Sequence, residues 1–126
     1  MDLDRRRIVA AGLGLAAATV AAPAFGDAPM YGLIGRMKAV PGQRDALAAI
    51  LLEGTGAMPG CLSYIVAKDP ADADALWITE VWDSAASHRA SLQLPAVRDA
   101  IARGRPLIAG FDSQTETEPL GGAGLP

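Results

Sequence analysis

Residues 29–120 read as an α+β domain of the ferredoxin-like βαββαβ type, with two helices covering one face of a four-stranded antiparallel sheet. Three observations lead there. Segments 61–68 and 75–82 both alternate apolar and polar residues, and a short acidic loop joins them, so they form an antiparallel hairpin. A segment of helical period precedes the hairpin and another follows it, each bounded by Pro and Gly. A strand-like segment stands at either end.

Residues 1–28 lie outside this domain. Arg5, Arg6 and Arg7 precede an Ala-rich apolar run, and Ala22-Pro23-Ala24 supplies small residues for cleavage, with Gly26 as the alternative point. Basic start, apolar centre and small-residue end are the parts of a cleaved export signal, and the arginine pair makes it a twin-arginine (Tat) signal. The mature protein is therefore expected in the periplasm. A membrane anchor is the competing reading, but Gly12, Gly14 and Thr19 interrupt the run, which falls short of the ~20 apolar residues a span needs.

About a hundred residues remain, enough for one domain but near the small end for burying a core unaided. The whole chain has a net charge of −3, and the part from Asp27 on holds 8 basic against 12 acidic residues. With no basic stripe, neither nucleic acid nor an anionic membrane surface is an expected partner. Cys61 is the only cysteine, which excludes an internal disulfide and leaves a disulfide between subunits open.

The elements follow in order. Residues 30–40 alternate as a first strand, with Leu33 and Ile34 confusing the phase. Pro41-Gly42 breaks it, and over 43–53 Ala46, Leu47, Ile50 and Leu51 make a narrow apolar helical stripe that ends at Gly54 and Gly56. Pro59-Gly60 turns into the hairpin. Leu62, Tyr64 and Val66 share one face of its first strand, and 69–74 is a loop by composition. In the second strand Trp77, Thr79 and Val81 face one way and Ile78, Glu80 and Trp82 the other. Asp83 or Ser84 caps a helix running through Leu92. Residues 95–103 add a further helical stretch with Val97 and Ile101 four apart, ended by Gly104 and Pro106. The last strand, 107–118, is polar beyond Asp112 and so belongs at an edge, and 121–126 is a disordered tail.

Helices cover only one side of such a sheet, yet both faces of the hairpin carry large apolar groups. The open face therefore calls for a partner, and a second copy packed sheet to sheet would supply it. Trp77 and Trp82 point opposite ways, so one serves the helix side and the other the interface. The sequence leaves open which.

Pro41-Gly42, Pro59-Gly60-Cys61-Leu62-Ser63-Tyr64, Asp69-Pro70, Glu80-Val81-Trp82 and the helix bearing His88, in this order and spacing, resemble the antibiotic biosynthesis monooxygenase (ABM) family over roughly 31–120. The resemblance implies a dimeric α/β barrel with an apolar pocket between sheet and helices in each subunit. It also implies an activity: some members oxidise phenols or quinols with O₂ and use neither metal nor flavin. The substrate is then the electron donor. Such a protein needs a dry cavity, a hydrogen bond that aids deprotonation and a group that stabilises the anion.

Three residues are the catalytic candidates. His88 is the only histidine and has the side chain suited to proton transfer near neutral pH; on its helix it shares a stripe with Ala85 and Leu92. Trp82 can wall the pocket and offer its indole N–H to a substrate oxygen, and Tyr64 can donate its hydroxyl to a phenolate. Trp82, Tyr64, Glu80 and Leu92 are the expected substrate contacts. The plainer readings are a solvated His88, a Trp82 that only packs, a Tyr64 that only anchors the hairpin, and a Glu80 ion-paired with Arg36 or Lys38. Many family members carry further histidines where this chain has Ser91 and Ala96, so only one imidazole is on hand. A haem-degrading branch uses an Asn, Trp and His set, and Gly35, Ser91 and Ile101 stand there instead. Asp69, Asp72 and Asp74 lack the glycine and spacing of a calcium loop, and one His and one Cys make no transition-metal cluster. No cofactor is expected. The functional alternatives are a cofactor-independent monooxygenase acting on a quinol or polyphenol, and a non-catalytic dimeric module that binds a small aromatic or lipophilic ligand.

Overall fold

The structure is a computed structural model that describes residues 28–126, so the expected leader falls on residues outside it apart from Ala28. Four strands and three helices follow in order: β1 (Tyr31–Ala39), α1 (Arg44–Gly54), β2 (Cys61–Lys68), β3 (Ala75–Trp82), α2 (Ala85–Ser91), α3 (Pro95–Gly104) and β4 (Ile108–Thr117). The strands form one antiparallel sheet in the order β2-β3-β1-β4. This is the ferredoxin-like arrangement, and β4 lies at an edge. Among the described residues no helix is long and apolar enough to cross a membrane.

Local chemistry accounts for the element ends. Gly42 and Gly60 both sit at φ 83°, a left-handed backbone that a side chain opposes, and each follows a proline in a turn. Of the two expected caps for α2, Ser84 acts: its hydroxyl accepts the Ser87 N–H at 3.1 Å from an extended backbone. Pro95 opens α3 at the position where its missing N–H costs nothing. The last six residues carry only a turn, closed by the Leu125 N–H donating to the Gly122 carbonyl at 3.0 Å.

Register decides what meets what. Leu33 pairs with Glu80, Gly35 with Ile78 and Met37 with Leu76 across β1 and β3; Tyr64 pairs with Glu80 across β2 and β3. All of these point to the helix side, because side chains alternate along a strand. Met37, Ala39, Leu47, Leu76 and Ile78 make the buried core there. The phase that Leu33 and Ile34 blurred resolves with Leu33 inside and Ile34 outside. Helices α1 and α3 approach so closely that a Cβ on Gly54 would lie 2.4 Å from the Ala100 Cβ.

The open face carries Ile34, Arg36 and Lys38 of β1 opposite Thr79 and Trp77 of β3. Arg36 binds Asp69 at 3.1 Å and Asp72 at 3.2 Å and also meets Asp112, while Lys38 binds Asp72 at 2.5 Å. The Trp77 indole donates to the same Asp69 at 3.0 Å, with the Arg36 guanidinium 6.0 Å from its ring centre. The pairing of Glu80 with Arg36 or Lys38 is thus incorrect. Strand parity sends those cations to the face opposite Glu80, where the loop acids hold them.

Candidate active site

Between the helix face of the sheet and α2 and α3 lies a cavity of about 320 Å³. Leu33, Met37, Ile78, Leu92, Ile101 and Phe111 give it apolar walls, and Tyr64, Glu80, His88 and Gln114 give it polar groups. A smaller hollow of about 120 Å³ continues inward past Tyr64, Glu80 and His88 to Trp82. Gly35 leaves the β1 wall without a side chain; a Cβ there would meet nothing nearer than the Ser113 carbonyl at 3.5 Å, so its absence is room rather than necessity.

All the residues singled out in the sequence come together here. Tyr64 and Glu80 are cross-strand partners, Trp82 is two residues on from Glu80, and the capped helix α2 swings His88 over them. The His88 Nε2 is 3.9 Å from Glu80 Oε1, with the two side chains only 18% and 13% exposed. That separation is ion-pair range and too long for a hydrogen bond. Leu92 stands one turn further along, at the cavity wall.

Trp82 does something other than what the sequence offered. It is 1% exposed, and its indole N–H donates to Glu80 Oε1 at 2.9 Å, so this donor is committed to the protein and not to a substrate oxygen. Its ring meets the His88 ring edge-on at 5.5 Å between centres. Trp82 therefore holds both members of the carboxylate–imidazole pair. Among the described residues the Tyr64 hydroxyl has no such engagement, which leaves it available to a ligand.

The electrostatics follow from burial. Burial pushes the Glu80 carboxyl above the ordinary range, against the opposing pull of the Trp82 N–H and of His88. Burial, and then the Glu80 charge, raise the Tyr64 phenol well above its usual value. Tyr64 thus stays protonated and acts as a donor. The Glu80 carboxyl stands beside the His88 ring in this poorly solvated part of the wall.

Tyr31 is one of three residues that sequence reasoning missed. Its ring tilts 33° over His88 at 5.0 Å, opposite Trp82, and its hydroxyl donates to Glu116 Oε2 at 2.8 Å. Burial, and next the Glu116 bond, push it up to about 12. The available signal was parity, since Tyr31 is two residues before Leu33 and pairs with Trp82. Gln114 and Phe111 were hidden by irregular pairing of β4 between Arg36 and Ala39 of β1. Among the described residues no group of three His, Cys, Asp or Glu is arranged to hold a metal ion.

Fold and site together define a small α+β domain with an apolar cavity and a carboxylate–imidazole pair in its wall. The family model for antibiotic biosynthesis monooxygenase matches residues 30–103, and the chain belongs to that family. A crystal structure from Chloroflexus aurantiacus J-10-fl, provisionally named an antibiotic biosynthesis monooxygenase, is 69% identical, with 77% of this chain and 99% of that one covered at a TM-score of 0.76. One from Caulobacter crescentus CB15 with the same provisional name is 17% identical, covering 74% of this chain and 92% of that one at 0.67. A Pseudomonas aeruginosa protein is 23% identical, covering 74% and 96% at 0.65. The last two share the fold alone. Comparison with curated proteins finds no match.

Proposed function

We propose that the protein is a cofactor-independent monooxygenase that oxidises a quinol or polyphenol with O₂. The observation that carries this is the His88–Glu80 pair at 3.9 Å in the wall of an apolar cavity, beside a Tyr64 hydroxyl without a hydrogen-bond partner among the described residues. Family membership and the name of the Chloroflexus relative agree with it.

The sequence of events uses the substrate's own electrons. His88 takes the phenolic proton, Glu80 stabilises the imidazolium, and Tyr64 donates to the phenolate oxygen. The phenolate passes one electron to O₂. The resulting phenoxyl radical and superoxide join through a ring carbon ortho or para to the oxygen, and the peroxide takes the proton back from His88. Removal of the hydrogen on that carbon then breaks the O–O bond, leaving a carbonyl and releasing water. One atom of O₂ enters the product and the other enters water, with all four electrons supplied by the substrate. The apolar walls protect the radical pair from competing reactions.

The working unit in this proposal is a homodimer joined through the open sheet face. Ile34 and Ile65 are more than a third exposed there, beside a partly exposed Trp77. Trp82 lies on the helix side, so Trp77 is the tryptophan left for that interface.

Oxygen uptake by metal-depleted protein with a hydroquinone tests the roles. His88→Gln and Glu80→Gln should each lower kcat/KM by roughly 100-fold or more, the usual scale for a lost general base. Uptake equal to the parent's in both variants would remove the assignment. Binding without turnover across a panel of phenols would instead mark the protein as a ligand-binding module.

A further inference from the structure

A second chamber, of about 370 Å³, adjoins the first on the side away from His88 and shares Met37, Ile101 and Phe111 with it. Its other walls are Leu47, Leu51, Ala100, Gly104 and Ile108, with Arg105 as its one charged residue. The two chambers are thus unlike. Every hydrogen-bonding side chain of the pair other than Arg105 belongs to the first, and the second offers almost only hydrocarbon.

The residues between them point the same way. Ile101 is 40% and Phe111 59% exposed, although both are large and apolar. Leaving such side chains in water is unfavourable, and an apolar group threaded past them would cover them. A flat phenol held at Tyr64, Glu80 and His88 fills only the first chamber and leaves this surface wet.

We propose that the substrate is a phenol or quinol bearing an aliphatic chain, with the ring in the first chamber and the chain passing between Ile101 and Phe111 into the second. This rests on the reading that the phenolic head binds at Tyr64, Glu80 and His88. Each methylene buried in the second chamber should tighten binding about four-fold until the chamber is full. A hydroxyl on a chain position away from Arg105, the chamber's one hydrogen-bonding side chain, would lose that gain because it finds no partner there.

Calorimetric binding of a 4-alkylphenol series, from methyl to octyl, tests the chain without requiring oxidation. The expected result is one site per chain, affinity rising steeply with chain length and then levelling. Ile108→Trp, which fills only the second chamber, should abolish the rise while 4-methylphenol binds as before. Affinity independent of chain length in the unaltered protein overturns the proposal, whatever the variant does. A rise that persists in a folded Ile108→Trp overturns it too, since the chain then lies elsewhere. The head-group reading fails separately: if 4-methylphenol binding is unchanged in Tyr64→Phe and His88→Gln, the ring does not sit at that site. Chain-dependent binding with no oxidation of the matching alkylhydroquinones keeps the chamber and removes the monooxygenase.

Discussion

Glu80 is a carboxyl group with its side chain only 13% exposed in the wall of the site. A carboxylate out of water is costly, and this one has only the Trp82 N–H at 2.9 Å and a more distant His88 to offset the loss. Because its folded pKa is raised, the folded state holds the Glu80 proton more tightly than the unfolded chain does. Its favourable contribution to stability is complete below the unfolded value, near ~4.3, and is lost as the pH rises through the folded pKa. At neutral pH the charge opposes folding. Glu80→Gln keeps an oxygen for the Trp82 N–H and should therefore melt at a higher temperature than the parent at pH 7, with the advantage shrinking below about pH 4. A lower melting temperature at pH 7 would show that the carboxylate is a structural asset. In the proposed mechanism, stability and function pull in opposite directions at this position.

At the scale of elements, the close approach of α1 to α3 sets the depth of the cavities, because both chambers lie under α3. Gly54 and Ala100 form the contact, and no side chain fits between them. Gly54→Ala should force the helices apart and cost about 1–3 kcal/mol in denaturant unfolding, although Ala is the better helix former. Stabilisation instead would mean that the helices slide without strain. The elements themselves were largely legible in the sequence. β2 and β3 match their expected bounds, since a clean two-residue period between Pro59-Gly60 and the acidic loop leaves little choice. The ends of β1 and α1 differ by a residue, where turn geometry rather than periodicity decides.

For the whole molecule, the described residues cover the sheet on one side only, and leaving Ile34 and Ile65 exposed on the other face of so small a domain is a poor arrangement for a monomer. Sedimentation should give a dimer at micromolar concentration, and Ile34→Lys with Ile65→Lys should yield monomers; a monomeric parent would remove the interface. The site was legible in part of its membership, without Tyr31, Phe111 and Gln114, and not in its pairing. His88, Glu80, Tyr64, Trp82 and Leu92 were all within reach of motif and parity. What joins Glu80 to His88 depends on the angle at which α2 returns over the sheet, which no local pattern encodes, whereas the bond that commits the Trp82 N–H links same-face neighbours two residues apart on β3. The same parity argument, carried one strand further, would have placed Arg36 and Lys38 on the far face.

Isotope labelling tests most directly whether this arrangement performs oxygen transfer. Metal-depleted protein is given a dihydroxynaphthalene under ¹⁸O₂, and the quinone and water are analysed by mass spectrometry. One labelled oxygen should enter each product molecule and the other should enter water, with formation slowed roughly 100-fold or more in His88→Gln. An unlabelled quinone with accumulating hydrogen peroxide, or an equal rate in the variant, would contradict the account.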